Sequence, residues 1–315
     1  MNVKLLITGS SGYLGKNFIQ ELLDNDDYSI IGIDKTDSKY TNLKINLCAP
    51  YLRSKLYELI SPSDQLIILN FAAARTDRGL KSSYKSDNVL ATQNFLESIR
   101  DLKVLRFIHM SSVASFEGEK LFIKKLKLDY LNHDDCYRLT KFEQEKIIKE
   151  WCLENKIPLN ICYPSAIFSK DQPRNTNTFK LFRNVRLFPF LINSNAYKTL
   201  TFMPNLVKNL KYIIDNDVEG NLLAVEKPIL TVSEIQSLIA TKMKLKRIKI
   251  SVKPFIFIFL GRVWEAIFGL IVKDPIITEQ RVKKFFSSTS EYPEGSLVYK
   301  QYINFEDALE NSIKK

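Results

Sequence analysis

The sequence predicts an α/β protein: a doubly wound parallel sheet with a smaller, mostly C-terminal lobe. Three observations carry this. Short apolar runs alternate with stretches of helical spacing up to Pro164, a glycine-rich turn joins the first run to the first helix, and the alternation ends beyond Pro164. The first run is Val3-Lys4-Leu5-Leu6-Ile7, and Tyr13 to Leu23 has helical spacing. Between them lies Thr8-Gly9-Ser10-Ser11-Gly12-Tyr13-Leu14-Gly15, which holds three of the ten glycines of the 315-residue chain. A strand, a glycine turn and a helix start in that order form a Rossmann-type cradle for a dinucleotide pyrophosphate. Glycine permits the tight turn and the close approach of backbone N–H groups, and the helix N-terminus supplies partial positive charge.

Tyr28-Ser29-Ile30-Ile31-Gly32-Ile33-Asp34 reads as a second strand ending in an acid. A carboxylate about twenty residues beyond the glycines accepts hydrogen bonds from the adenosine ribose and disfavours a 2′-phosphate. Asp34 therefore points to NAD, and the adjacent Lys35 leaves NADP open. The alternation continues through Leu66–Phe71 (strand), 84–100 (helix), Val104–Met110 (strand), 137–154 (helix) and Leu159–Tyr163 (strand). Beyond Pro164, helices are expected over 179–185 and 206–214 and a strand over 221–225. Thr231-Val232-Ser233-Glu234 has capping-box spacing and opens a helix through Met243. The dinucleotide domain is expected over 1–165, with 199–226 adding to it. A substrate lobe covering the cleft is expected from 166–198 and 227–315.

Composition narrows the function classes. Hydrophobic residues at 45% and charged residues at 26% fit a globular protein with ample core. The stretch from Asn2 to Thr8 is too short for a signal-peptide core, so a cytoplasmic protein is expected. Cys48, Cys136, Cys152 and Cys162 lack metal-site spacing and fit reduced thiols, and two histidines are too few for a His-based site, so no metal is expected. The net charge is +2 over residues 1–160 and +9 over residues 161–315. An anionic substrate, a membrane surface or a general richness in lysine each accounts for that excess. No nucleic-acid-binding pattern accompanies it, so no nucleic-acid partner is expected.

Hydride chemistry at an alcohol needs a proton acceptor near the carbinol oxygen. A tyrosine serves when a nearby ammonium stabilises its phenolate, and a lysine one helical turn later lies on the same helix face. The chain contains three Tyr-x-x-x-Lys pairs, Tyr40/Lys44, Tyr51/Lys55 and Tyr137/Lys141. Only Tyr137/Lys141 opens a strong helical segment and has a serine upstream at a strand end, in Met110-Ser111-Ser112.

With the motifs around it, this combination resembles the extended short-chain dehydrogenase/reductase family of nucleotide-sugar epimerases, dehydratases and keto-reductases. Thr8 to Gly15 matches the family's TGxxGxxG loop. Asn70-Phe71-Ala72-Ala73 stands at its strand-four motif, and Asn88-Val89-Leu90-Ala91-Thr92-Gln93-Asn94 resembles NVxGTxN. Tyr163-Pro164-Ser165-Ala166-Ile167-Phe168 resembles RPxxVYG with its arginine replaced, and Thr201 to Val207 resembles a later strand-to-helix step. The resemblance covers nearly the whole chain and is loose beyond about residue 210. It implies that Tyr137 is the general acid or base, that Lys141 lowers its pKa and contacts the nicotinamide ribose, and that Ser112 hydrogen-bonds the substrate oxygen. Strand alternation turns Ser111 the other way. It implies cofactor contacts from Gly9, Ser11, Gly12, Tyr13, Leu14, Gly15, Asp34, Lys35, Asn46, Leu47, Phe71, Ala72, Ala73, Asn88, Tyr137, Lys141, Tyr163 and Pro164. By position, Asn175, Asn177, Lys180 and Lys198 are substrate contacts.

Val113-Ala114 follows Ser112 where the family's dehydratases carry Asp-Glu, which excludes a dehydratase. Two activities on a nucleotide sugar stay open, a 4-epimerase and a 4-keto-reductase, in surface-polysaccharide synthesis and with a homodimer expected. A hydroxysteroid-type reductase of a lipid or small alcohol and a non-catalytic dinucleotide-binding regulator are the alternatives. Pro254 to Val272 is the most apolar stretch, and Arg262 and Glu265 interrupt it, which excludes a transmembrane helix. It reads as a helix buried in the substrate lobe or at a subunit contact. The alternative is an interfacial helix led to an anionic membrane by Lys242, Lys244, Lys246, Arg247, Lys249 and Lys253.

Overall fold

The computed structural model describes residues 3–23, 28–74, 81–251, 253–268, 279–289, 292–293 and 295–313. The chain divides into two compact units. The first comprises Met1–Ser165, Leu206–Ala224 and Glu294–Lys300, and the second Ala166–Asn205, Val225–Pro293 and Gln301–Lys315. In chain order the elements are β1 (Val3–Thr8), α1 (Tyr13–Leu23), β2 (Ser29–Asp34), β3 (Leu43–Lys44), α2 (Leu52–Tyr57), β4 (Gln65–Asn70), α3 (Ser82–Tyr84), a π-helical stretch (Lys85–Leu90) and α4 (Ala91–Ile99). There follow β5 (Lys103–Met110), α5 (Ala114–Ile123), α6 (His133–Glu154), β6 (Leu159–Pro164), β7 (Ala166–Phe168), α7 (Asn177–Leu187), β8 (Phe190–Ile192), β9 (Tyr197–Lys198), β10 (Leu200–Phe202), α8 (Met203–Asp215) and β11 (Leu222–Ala224). The rest are β12 (Leu230–Thr231), α9 (Val232–Lys242), β13 (Ile248–Ile250), α10 (Pro254–Phe268), α11 (Glu279–Phe286) and α12 (Phe305–Ile313).

The first unit is built on a seven-stranded sheet in the order β11-β6-β5-β4-β1-β2-β3, and every pairing in it is parallel. Parallel strands are covered on both faces and read as continuous apolar runs; Leu5, Leu6, Ile7, Leu66, Ile68, Leu69, Phe107 and Ile108 are fully buried. The strand order reverses between β1 and β4, where Thr8 pairs with Asn70. The carboxyl ends of β1, β4 and β5 therefore bring the glycine loop, Phe71–Ala73 and Ser111–Ser112 to one edge of the sheet, the edge at which open α/β sheets bind ligands. At the other end of β5, the buried Arg106 guanidinium donates to Asn160 Oδ1 at 2.6 Å, to the Val218 carbonyl at 2.8 Å and to the Asp217 carboxylate. These bonds hold β5 and β6 to the turn before β11.

Two local features differ from the sequence reading. The helix that carries Tyr137 and Lys141 starts at His133, four residues before Tyr137, because Asn132 caps it by accepting from the Asp135 N–H at 2.9 Å. α5 follows Ser112 almost directly, where no helix is expected from the pattern. The capping box of Thr231 and Glu234 is formed.

The second unit has its own core around Phe168, whose ring lies 5.2 Å from Phe202, 6.2 Å from Phe182 and 6.2 Å from Phe305. Phe182 and Val185 of α7, Ile235 and Ile239 of α9 and Leu309 of α12 close this cluster. In the apolar stretch beginning at Pro254, α10 buries Gly261 and exposes Phe255, Ile256, Phe259 and Val263. Of the two expectations, burial within the substrate lobe does not hold for the described side chains of this exposed face, and a subunit contact stays open to it; residues 269–272 lie outside the described part.

α5 lies against α6 at Gly118. A Cβ at that position would stand 2.0 Å from the Arg138 carbonyl oxygen and 3.0 Å from the Phe142 Cβ. Gly118→Ala is expected to force the two helices apart and lower stability by about 1–3 kcal/mol, read as a lowered urea midpoint with an unchanged slope.

Candidate active site

The glycine loop turns so closely that side chains do not fit. Gly9 has φ +73°, and a Cβ there would approach the Ala72 nitrogen and the Phe71 carbonyl carbon at 2.9 Å. At Gly15 the Cβ would stand 2.2 Å from the Gly9 carbonyl oxygen, so the loop lies directly on the start of α1. Gly12 is exposed, and apart from its chain neighbours the atoms of the described residues nearest its Cβ position belong to Gly9. The space outside the loop, over the N-terminus of α1, is thus open to an anion. Gly9 N–H donates to the Ile33 carbonyl at 2.8 Å, which fixes the loop to β2. At the end of β2, the Asp34 carboxylate accepts from Ser11 N–H at 3.1 Å and Thr36 N–H at 2.9 Å. The Ser11 hydroxyl donates to the Thr36 carbonyl at 2.8 Å. Lys35 forms an exposed ion pair with Asp87 at 2.9 Å. An open amide-lined turn at a helix start, with a carboxylate at the next strand end, suits the pyrophosphate and ribose of a dinucleotide.

The remaining proposed cofactor residues lie around this edge. Tyr13 and Leu14 open α1 and are half-buried. Asn46 is exposed, and its side chain accepts from Cys48 N–H at 2.9 Å. The Leu47 carbonyl accepts from Asn94 Nδ2 at 2.6 Å. The Phe71 ring meets Phe18 edge-on at 5.6 Å. Ala72 N–H donates to Thr8 Oγ1 at 3.2 Å, while Ala73 is exposed. Asn88 is buried in the π-helical stretch, accepting from Ala74 N–H at 2.6 Å and donating to Thr140 Oγ1 at 3.1 Å.

Tyr137 and Lys141 stand one turn apart on α6, and they differ in environment. Tyr137 is half-buried against the cluster of Tyr84, Leu131, Cys136 and Leu139. Lys141 is buried, its ammonium donating to the Met110 carbonyl at 2.8 Å and to Gln144 Oε1 at 2.6 Å. Burial lowers its pKa to about 7 despite the nearby Glu145 carboxylate. Ser112 is half-buried one residue beyond the buried Ser111, with its Oγ accepting from Ala114 N–H at 3.2 Å. Ser111 instead donates to Glu145 Oε2 at 2.8 Å. The strand end thus points the two serines into different surroundings.

Several residues that shape this site carry no motif. Gln144 accepts from Lys141 and donates to Thr92 Oγ1 at 2.8 Å and the Ala72 carbonyl at 3.3 Å. It links α6, α4 and the second residue after β4. Glu145 accepts from Ser111, from the Tyr163 hydroxyl at 2.7 Å and from Lys149 at 2.6 Å. Burial raises the Glu145 pKa, but the Lys149, Tyr163 and Ser111 hydrogen bonds outweigh it and hold the carboxyl below its ordinary range. Tyr163 also stacks on Phe116 at 4.7 Å, and burial next to Glu145 raises its pKa. The Pro164 carbonyl accepts from Val113 N–H at 3.1 Å. His109 is fully buried on β5, its Nδ1 3.4 Å from Asn70 Nδ2 and its Nε2 without a hydrogen-bond partner among the described residues. Burial lowers its pKa well below the ordinary value, with Lys141 adding to the effect, so the ring is neutral.

The four proposed substrate residues all lie in the second unit. Asn175 is exposed before α7, Asn177 is exposed as its first residue, and Lys180 is half-buried one turn on. The Lys198 ammonium donates to the Lys284 carbonyl at 2.6 Å and to the Ser287 carbonyl, at the C-terminal end of α11.

Comparison with known proteins places the chain in a family. The model of the NAD dependent epimerase/dehydratase family matches residues 5–194. The low-salt glycan biosynthesis protein Agl12 of Haloferax volcanii is 29% identical over 171 residues, covering 49% of this chain and 53% of that protein. An uncharacterized UDP-glucose epimerase of Bacillus subtilis, YtcB, is 24% identical over 240 residues, covering 67% of this chain and 72% of the relative. The first of these matches spans about half the length of the curated relative. The crystal structure of UDP-glucuronic acid 4-epimerase from Bacillus cereus, in complex with UDP-glucuronic acid and NAD, superimposes with a TM-score of 0.66 at 17% identity, covering 98% of each chain. That last likeness is one of fold: a parallel seven-stranded sheet flanked by helices. With the glycine loop, Asp34 and the Tyr137/Lys141 helix standing on such a sheet, and the family model matching more than half of its length, the chain belongs to the NAD dependent epimerase/dehydratase family.

Proposed function

We propose that the protein is an NAD-dependent 4-epimerase of a UDP-sugar, acting in glycan synthesis. The observation that carries this reading is the pairing on α6 of a half-buried tyrosine with a fully buried lysine one turn away, whose ammonium holds the carbonyl that ends β5, two residues before Ser112. UDP-sugar 4-epimerases among the similar structures and a glycan-biosynthesis relative support it.

Gly9, Gly12 and Gly15 with the start of α1 would hold the pyrophosphate of NAD, Asp34 its adenosine ribose and Lys141 its nicotinamide ribose. NAD bound there would supply the acceptor and donor of the hydride exchanged with a sugar carbon. The chain's own residues handle the proton. Tyr137 Oη removes it from the sugar hydroxyl as that carbon is oxidised and returns it to the keto oxygen. The Lys141 ammonium favours the phenolate form of Tyr137 by charge. Ser112 Oγ holds the same sugar oxygen by a hydrogen bond, so that oxygen and the Tyr137 hydroxyl stay within proton-transfer reach. Gln144 keeps Lys141 directed toward the end of β5.

The first test is the nucleotide released when the purified protein is denatured, followed by incubation with UDP-sugars and separation of the 4-epimers. Near-stoichiometric NAD and interconversion of epimers are expected. A protein that purifies empty and consumes NADH or NADPH with a 4-keto sugar is a keto-reductase, and the epimerase reading then fails. Tyr137→Phe is expected to lower turnover by about 10²–10⁴-fold while the same nucleotide is still released on denaturation.

Lys141 adds a pH signature. Its pKa is about 7 in the folded protein against 10.5 for the ordinary side chain. Between those values the unfolded chain holds one more proton, so this residue's contribution to stability rises with pH by up to about 1.4 kcal/mol per unit. Relative to wild type, Lys141→Met is therefore expected to be most stable below about pH 7. Its advantage should shrink as pH rises toward 10.5, as measured by urea unfolding of the nucleotide-free proteins.

A further inference from the structure

We propose that the second unit carries a docking surface for an anionic phospholipid bilayer, formed by one face of α10 and the lysines that precede it. α10 is apolar on two sides. On one side the Phe257 ring lies 6.1 Å from Phe286 of α11, and Gly261 is buried. On the other, Phe255, Phe259 and Val263 follow one another at four-residue spacing with Ile256 beside them, and they are 64%, 63%, 38% and 40% exposed. A helix that is apolar all round is ordinarily buried all round. Here one apolar face is left to solvent, and contiguous exposed apolar surface marks an interaction site.

Charge identifies the occupant. From Met243 to Val263 the chain has six cationic residues and no acidic one. Two of the six are tied within the unit: Arg247 donates to the Val185 carbonyl at 3.0 Å and the Arg186 carbonyl at 2.8 Å, and Arg262 is paired with Glu279 at 2.7 Å. The other four, Lys244, Lys246, Lys249 and Lys253, are exposed. β13 lies among them, and its Ile248 is 74% exposed beside its register partner Phe190 on β8. Four exposed lysines with no acid among them favour an anionic partner surface over a second copy of the same basic segment. The exposed face offers phenylalanine, isoleucine and valine side chains, which suit hydrocarbon, and is bordered by the Arg262–Glu279 ion pair. The lysines suit the phosphates above it, with their aliphatic stems lying along the apolar layer. No helix among the described residues is long and apolar enough to cross a membrane, so the contact is one of lying on the surface.

The experiment is co-sedimentation of the full chain with phosphatidylcholine vesicles, with and without phosphatidylglycerol, at low and high salt. Binding to the anionic vesicles at low salt is expected, weakened about tenfold or more by high salt and by omission of phosphatidylglycerol. The double substitution Phe255→Ser and Phe259→Ser is expected to weaken it by about tenfold or more, with nucleotide binding and circular dichroism unchanged. Replacing Lys244, Lys246, Lys249 and Lys253 by Gln is expected to remove the salt dependence. Absence of sedimentation with anionic vesicles at low salt overturns the proposal, as does binding that the double substitution leaves intact. A concentration-dependent dimer in analytical ultracentrifugation that the double substitution dissolves, without vesicle binding, assigns the face to a second copy and also overturns it.

Discussion

The site of this protein depends on how one helix is anchored. α6 is amphipathic in an unusual sense, because it meets the sheet with polar groups as well as apolar ones. Lys141 reaches the carbonyl that ends β5, Gln144 the carbonyl just beyond β4, and Glu145 the hydroxyls of Ser111 after β5 and Tyr163 on β6. Each is a buried polar group that would cost about 1–3 kcal/mol if left unpaired, so the helix has one rotation and one axial position that satisfy all of them. Tyr137, one turn before Lys141, inherits that position. An ammonium in this setting is desolvated, and that lowers its pKa. The same burial sharpens its electrostatic effect on any charge that forms beside it.

At the other side of the sheet edge the constraint is steric. The glycine loop lies within van der Waals reach of the backbone after β4 and of its own beginning, and positions 9 and 15 have no room for a methyl group. Two unlike devices therefore meet at the ends of adjacent strands, one made by the absence of side chains and one by fully bonded polar side chains. Asn70, Thr8 and Ala72 join them: Thr8 Oγ1 donates to Asn70 Oδ1 at 2.7 Å and accepts from Ala72 N–H. The neutral His109 ring continues this line from Asn70 into the sheet.

What the sequence made legible was local in its physics. A glycine turn needs only its neighbours in the chain, and buried parallel strands betray themselves by uninterrupted apolar runs, so the frame and the loop could be read directly. The pair Tyr137/Lys141 was separable from Tyr40/Lys44 and Tyr51/Lys55 because only it had helical context and a strand-end serine. Gln144, His109 and Gly118 were not legible, because their roles arise from contacts between elements far apart in the chain. The true start of α6 did leave a trace, since Asn132 stands three residues before Asp135 as a capping residue should, yet the apolar pattern drew attention to the later residues. In the second unit the strands β7 to β10 are two or three residues long, too short to show a period. Lys198 was placed by position alone, and nothing in the sequence signals that its ammonium donates to the Lys284 and Ser287 carbonyls at the end of α11.

The π-helical stretch between α3 and α4 has a consequence for how this chain is aligned with others. A π turn takes in an extra residue relative to an α turn, and each residue of an α-helix advances the facing direction by about 100°. That extra residue lets Asn88 face Ala74 while Phe95, Leu96 and Ile99 of α4 still face the core. A relative one residue shorter between Tyr84 and Ala91, winding as a plain α-helix, keeps one of those orientations and loses the other. Counting positions across this helix without a gap therefore pairs structurally unlike residues, and the phase of the buried face is the safer guide.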